Sequence, residues 1–257
     1  MAVTVVVPSF NEAGNVAPLI AALTAALGGL DADVLYVDDS DDGTPEAVRE
    51  AAEGSALPLA VHHRDRPVGG LSGAVVAGLR RARGDVVVVM DGDMQHPPAV
   101  IPALLHLLDQ GADIAVASRY TSDGGADGLS SARRRLVSSA ATALSRAALP
   151  RAIERCSDPM TGFFAVRAAS IDLERLDPSG FKILLEILAT HDLHVAEVPF
   201  HFGRRHYGVS KATIRQGALF LRQLAELRRF TRRWAPTRAG GYAPVRLHDH
   251  ARRTTSS

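Results

Sequence analysis

Short apolar runs alternate with helix-period segments through the first half of this chain. Val3–Val7 is followed by an Ala- and Leu-rich segment from Val16 to Leu27. Val34–Val37 leads into the acidic turn Asp38 to Thr44, and Pro45 suits the first turn of the next helix. Leu57–His62 reads as a third strand, and Gly69-Gly70-Leu71-Ser72-Gly73 opens an Ala-rich helix ending near Gly84. Val86 to Met90 is wholly apolar and reads as a strand buried on both faces. A helix from Pro98 to about Asp109 and a fifth strand, Asp113–Ala117, complete the series. Strands spaced by helices in this way predict an α/β fold built of βαβ units, with a mostly parallel sheet flanked by helices.

The pattern loosens afterwards. Asp123 to Ser131 is rich in Gly, Asp and Ser and reads as a loop, Leu136 to Leu149 as a helix, and Phe163–Val166 and His194–Val198 as short strands. Lys211 to Trp234 reads as a long basic helix, with Ile214, Ala218, Leu221 and Ala225 at helical spacing. The Pro, Gly, Thr and Ser content after Ala235 predicts a poorly ordered tail. The expected division is a body over 1–210, a basic helix over 211–234 and a tail over 235–257.

With 257 residues, 46% of them hydrophobic, the chain can bury a sizeable core. Its formal net charge of +1 hides an asymmetry. Between Gly203 and His248 stand eleven lysines and arginines against Glu226, while acids outnumber bases in the part before. Such a split predicts an anionic partner for the C-terminal part. Cys156 is the single cysteine, which excludes an internal disulfide and agrees with a reducing compartment. The start of the chain lacks a basic leader pattern, and no run reaches the roughly 18 apolar residues of a spanning helix. The expected location is cytoplasmic, at most peripheral on the cytoplasmic face of a membrane.

Ligands of open α/β sheets gather at the carboxyl ends of strands. Those ends read Pro8-Ser9-Phe10-Asn11-Glu12, Asp38-Asp39, Asp91-Gly92-Asp93 and Ser118-Arg119-Tyr120, so ionisable residues converge on one edge. Two carboxylates one residue apart at the end of a buried strand are costly without a cation beside them. Their oxygens suit Mg²⁺ or Mn²⁺, which bind one or two carboxylates plus a substrate's phosphates. A solvated Asp/Gly turn is the plainer alternative. Plainer readings also exist elsewhere. Glu12 would cap a helix, Asp38 would hold a strand end, and His62 and His63 would be ordinary strand-end residues. His96, beside Pro97 and Pro98, belongs to a conformational segment. The glycines after Val68 lack the G-x-G-x-x-G spacing of a dinucleotide loop.

These segments together resemble family-2 glycosyltransferases of GT-A (Rossmann-like) fold. The resemblance rests on Val7-Pro8-Ser9-Phe10-Asn11-Glu12, Val37-Asp38-Asp39, Asp91 to Pro98 and Ala117-Ser118-Arg119-Tyr120. Asp158 to Phe164 and Arg205 to Lys211 narrow it to the dolichol-phosphate (polyprenyl-phosphate) mannosyltransferase branch. Phe10 stands where the family usually has tyrosine, and the acidic loop after Asp39 is one residue short, so Asp41 and Asp42 have no assignment by position. The resemblance implies inverting transfer of a hexose, mannose from GDP-mannose first, from a nucleotide-diphosphate sugar to a polyprenyl phosphate. It implies that Pro8, Phe10, Glu12, Val37 and Asp39 hold the nucleoside. Asp91, Asp93 and Gln95 would bind the metal, with Gly92 beside the diphosphate and Arg205 and Lys211 on phosphate. Arg119 and Arg134 would face the acceptor's phosphate, and Asp158 would stand near the reaction centre.

That acceptor is an oxyanion at neutral pH, since a phosphate monoester has a second pKa of about 6. Asp158 is therefore expected to position rather than to remove a proton. Rival readings are a UDP-hexose donor, a soluble acceptor, and a non-catalytic module that binds nucleotide sugar. A nucleic-acid role would explain the basic end but not the acidic strand ends, and none is expected. The basic helix has two live readings. In one, Phe220, Leu224 and Leu227 beside Arg222, Arg228 and Arg229 form an interfacial helix on an acidic membrane. In the other it packs on the body with its arginines in water. Homo-oligomerisation is left open by the sequence.

Overall fold

The computed structural model describes residues 1–121, 141, 143–177, 182–203 and 214–233. The predicted series forms: β1 (Val3–Ser9), α1 (Ala13–Leu27), β2 (Ala32–Asp38), α2 (Thr44–Gly54), β3 (Leu59–His63), α3 (Gly70–Arg81) and β4 (Val86–Val89). A 3₁₀ turn at Pro98–Val100 then leads into α4 (Ile101–Asp109) and β5 (Ile114–Ser118). After a short helix, α5 (Pro150–Ile153), come β6 (Phe164–Arg167), α6 (Ile183–Thr190), β7 (Val195–Pro199) and α7 (Ile214–Arg233). The expected loop at 123–131 lies outside the described residues, as do 136–140 and 142 of the expected helix at 136–149, while 141 and 143–148 are helical.

Seven strands form one sheet in the order β3-β2-β1-β4-β6-β5-β7. All neighbours are parallel except β6, which runs antiparallel to both β4 and β5. The central strands are apolar on both faces because both faces are covered. Val3, Val5 and Val7 of β1, with Val86 and Val88 of β4, pack under α1 and α4. Val6, Val87 and Val89 point the other way, into a second core with α3 and α6. On that side α3 crosses so closely that a Cβ on Gly78 would sit 2.3 Å from Val6 Cγ1.

The last helix docks on the body. Phe220, Leu224 and Leu227 are buried against Leu149, Ile153, Met160, Leu185 and Ala189. The stripe read as membrane-facing is thus spent on the protein's own core, while Arg222, Arg228 and Arg229 stay exposed. Gln223 seals the contact: its side-chain amide donates to Glu186 Oε2 at 3.3 Å. Glu186 Oε1 accepts the Asp177 N–H at 2.5 Å.

Burial pushes the Glu186 carboxyl up to about 7, against the lowering effect of these hydrogen bonds. A carboxyl whose folded pKa exceeds its unfolded value stabilises the fold fully below the unfolded pKa, and that contribution is lost as pH rises through the folded one. The window therefore runs from about 4.5 to about 7. Wild-type protein should lose stability between pH 5 and 8 relative to Glu186→Gln. The relative gain of the variant should be roughly 2–3 kcal/mol, read by chemical denaturation at the two pH values.

Candidate active site

β1 lies between β2 and β4, so chain connections diverge from it and a crevice opens at the carboxyl ends of β1 and β4. Both loops at that crevice hold a non-glycine residue in the left-handed region, Asn11 at φ 57° and Met94 at φ 65°. Such backbone persists only when its surroundings over-determine it. At Asn11 they do. Its N–H donates to Ser40 Oγ at 2.8 Å and its side-chain amide to Asp41 Oδ1 at 2.6 Å. Asp41 N–H returns a bond to Asn11 Oδ1 at 3.1 Å, which laces the loop after β1 to the loop after β2.

Asp91 and Asp93 follow β4, with buried Gly92 between them. The Asp91 N–H donates to His96 Nδ1 at 3.0 Å, so the ring proton resides on Nε2, 3.7 Å from Asp91 Oδ2. His96 stacks on Phe163 with centroids 5.1 Å apart and meets Phe200 and Phe202 edge-on. Burial lowers its pKa to about 4, so it is a neutral spacer that fixes the turn. Asp93 is buried and accepts the Gln95 N–H at 3.1 Å. Gln95 is buried too, and its Nε2 donates to Gly203 O at 3.0 Å while Gly203 N–H bonds back to Gln95 O at 2.9 Å. The exit from β7 is thereby fastened to the carboxylate loop. Gly162 abuts it from another side, since a Cβ there would lie 3.1 Å from Asp91 Oδ1.

Arg119 leaves β5 and makes a bidentate pair with fully buried Asp158: Nε to Oδ2 at 2.7 Å and Nη2 to Oδ1 at 2.8 Å. The Arg119 N–H also donates to Oδ2 at 3.2 Å. Burial alone would lower the guanidinium's pKa, but the bond and charge of Asp158 carry it upward, helped by Tyr120 and Asp91. Its ring contacts, 5.4 Å to Tyr120 and 5.5 Å to Phe202, fix its plane. Lys182, at the start of α6, donates from Nζ to Met160 O at 3.0 Å. Burial, then the neighbouring Arg119, lowers its pKa, while Asp91 and Asp158 oppose the shift. Lys182 thus belongs to the same charge cluster. The sequence reading passed over it, although a lone lysine ahead of the apolar run Ile183-Leu184-Leu185 was a visible signal.

On the β2 side, Asp38 is fully buried and structural. It accepts from Ser9 Oγ at 2.7 Å and from Ser40 Oγ at 2.6 Å, and meets His63 Nδ1 at 2.8 Å. Asp39 is gripped by Arg64, Nε to Oδ1 at 2.7 Å and Nη2 to Oδ2 at 2.5 Å. Pro8 pairs in register with Val37, whose side chain is buried in the core rather than in the crevice. Phe10 is exposed at the rim. Glu12 takes the N-cap position of α1 without a side-chain capping bond; its carboxylate accepts from the Asn15 side chain. Arg134, Arg205 and Lys211 lie outside the described residues.

The residues suit a hard divalent cation. Asp91 and Asp93 offer oxygen only, and the bond from Gln95 Nε2 to Gly203 leaves Oε1 as the amide's acceptor. Among the described residues no group of three His, Cys, Asp or Glu side chains could hold a metal by itself. Mg²⁺ and Mn²⁺ are commonly held by one or two carboxylates together with a substrate's phosphates. Among the described residues no helix is long and apolar enough to cross a membrane.

Comparison with known proteins bears on the family and the fold. The model of glycosyl transferase family 2 matches residues 4–170. A dolichol-phosphate mannosyltransferase of Pyrococcus furiosus is 43% identical over 213 residues, covering 82% of this chain and 59% of that protein. The chain thus spans less than two thirds of that relative's length. A dolichol-phosphate mannosyltransferase of Mycosarcoma maydis is 36% identical over 240 residues, covering 88% and 79%. Among solved structures, glucosyl-3-phosphoglycerate synthase from Mycobacterium tuberculosis, in complex with Mn²⁺, UDP-glucose and phosphoglyceric acid, matches with a TM-score of 0.61 at 19% identity. That match covers 88% of this chain and 78% of the other, and carries the GT-A fold alone. A family model spanning well over half the chain, laid on a crevice with paired carboxylates at the end of β4, places this protein in glycosyl transferase family 2, and it is a glycosyltransferase.

Proposed function

We propose that this enzyme moves mannose from GDP-mannose to the phosphate of a polyprenyl or dolichyl lipid, with inversion at the anomeric carbon. One observation carries the reading: a metal-type carboxylate pair, Asp91 and Asp93, shares its sheet edge with the locked cation Arg119, and Asp91 acts directly on that cation's charge. Binding a nucleotide sugar alone calls for the first half only. The names of the two mannosyltransferase relatives support the substrates.

Pro8, Phe10, Glu12 and the main chain at Val37 would hold the nucleoside, together with Asp39 and its partner Arg64. Asp91, Asp93 and Gln95 would hold Mg²⁺ or Mn²⁺, with Arg205 and Lys211 on the diphosphate. When bound, that cation supplies Lewis-acid stabilisation of negative charge on the leaving diphosphate. Arg119 and Arg134 would orient the acceptor phosphate. The pair with Asp158 uses the Nε proton and one of the two on Nη2, so the N–H groups of Nη1 and the second of Nη2 can point to a substrate oxygen. Lys182, coupled to Arg119, Asp91 and Asp158, would add positive charge to the phosphate-binding side of the site. Asp158 holds Arg119, because both of its oxygens already accept from that residue. The exposed arginines of α7, Arg228 and Arg229, would meet an acidic membrane surface through charge alone.

Purified protein with Mn²⁺ should release GDP from GDP-mannose only when polyprenyl phosphate is present, and should spare UDP-glucose. Asp91→Ala and Asp93→Ala should each lower turnover by about a hundredfold or more, and chelation of the wild type should do the same until Mn²⁺ is restored. Full turnover after exhaustive chelation would remove the metal from the account. Lys182→Met should lower kcat by about tenfold or more with little change in donor KM, whereas a rise in KM alone would limit Lys182 to ground-state binding.

A further inference from the structure

Glu197 of β7 is a carboxylate that the mechanism above leaves unused. It is only partly exposed, and no ion pair reaches it among the described residues. Burial raises its pKa, against the lowering effect of the bonds it accepts from Ser157. A carboxylate partly withdrawn from water calls for a reason beyond packing.

Its hydrogen bonds supply one. Oε1 accepts from Ser157 N–H at 2.9 Å and from Ser157 Oγ at 2.9 Å, with Cys156 Sγ at 3.5 Å. Ser157 Oγ in turn lies 2.6 Å from Ser118 Oγ, which accepts Tyr120 N–H at 3.1 Å. A hydroxyl has one proton, and that of Ser157 goes to the carboxylate. The proton of Ser118 must therefore go to Ser157. The result is a chain with one direction, from Tyr120 N–H through Ser118 and Ser157 to Glu197.

Both ends of the active-site ion pair hang on this chain. Ser118 and Tyr120 flank Arg119, and Ser157 precedes Asp158. The parallel pairing of β5 with β7 sets Val116 opposite Glu197 and so delivers the carboxylate beneath them. We infer that Glu197 is a positioning residue: through Ser157 and Ser118 it fixes the Asp158–Arg119 pair, and hence the guanidinium that receives the acceptor's phosphate. The inference rests on the reading of Arg119 as an acceptor contact. Glu197 itself touches neither substrate.

Steady-state kinetics with GDP-mannose, Mn²⁺ and a short-chain polyprenyl monophosphate test it, each substrate being varied in turn. Glu197→Leu keeps volume but removes the acceptor, and should raise the KM for the lipid phosphate by about tenfold or more, the worth of hydrogen bonds to a charged group. The donor KM should stay within about twofold of wild type. Glu197→Gln retains an acceptor oxygen and should restore most of the loss. Should Glu197→Leu fail to fold, Ser157→Ala cuts the middle link and should raise the same KM by about threefold, one hydroxyl bond's worth. An unchanged lipid-phosphate KM in the folded Glu197→Leu or Ser157→Ala protein overturns the inference. So does an equal rise in both KM values, the mark of a general structural defect. If the wild type itself shows no transfer to polyprenyl phosphate, the acceptor reading falls first and takes the role of Glu197 with it.

Discussion

The bidentate pair between Arg119 and Asp158 holds the site together. Taking two charges out of water costs several kcal/mol for each ion, and only excellent geometry repays it. Here the guanidinium presents a two-bond fork and the main-chain N–H of Arg119 adds a third contact. Removing either partner would strand a buried charge, at a cost of about 3–5 kcal/mol. The pair therefore cannot loosen without consequence, and it joins the end of β5 to the segment that enters β6. Its field extends further: Arg119 depresses the neighbouring Lys182, and Asp91 draws on both cations. Opposite charges are thus arranged in advance of any substrate, which is how an enzyme avoids reorganisation at the moment of reaction.

The reversed strand explains why these groups meet. Were β4 and β5 direct neighbours, the segment carrying Asp158 and Gly162 would not pass across the end of β4. Because β6 runs antiparallel between them, the chain that enters it crosses the carboxyl ends of both, and Gly162 comes to rest against Asp91. The exit from β7 then closes the opposite side through Gln95 and Gly203. One strand's direction converts an ordinary doubly wound edge into a crevice walled on three sides.

Much of this was legible in the residues. The apolar runs at Val3–Val7, Val34–Val37 and Val86–Met90 are strands because both sheet faces are covered, and their polar ends mark the crevice edge. The structural roles of Asp38 and His96 were also readable, from a strand end and from a proline-bound turn. Other features left no local trace. The direction of β6 is set by long-range pairing and not by the composition of Phe164–Arg167. Helix α6 has no solvent-facing side to betray its period, because every residue from Ile183 to Thr190 is buried, Glu186 and Thr190 included. The stripe Phe220, Leu224 and Leu227 was visible, but an apolar face does not name its partner. Leu185 and Ala189 answered that question. Glu197 falls inside the predicted strand His194–Val198, and nothing in sequence joins it to Ser157 forty positions away.

The claim most exposed to test is that Asp158 holds a cation and takes no proton. The direct measurement is the pH dependence of kcat for Asp158→Asn beside wild type, with both substrates saturating. If the acceptor phosphate reacts as an oxyanion already formed, both profiles should rise over the same range near its second pKa of about 6, with the variant merely slower. A variant that binds both substrates yet has lost the wild-type basic limb would show Asp158 to be a proton acceptor, and would contradict the account.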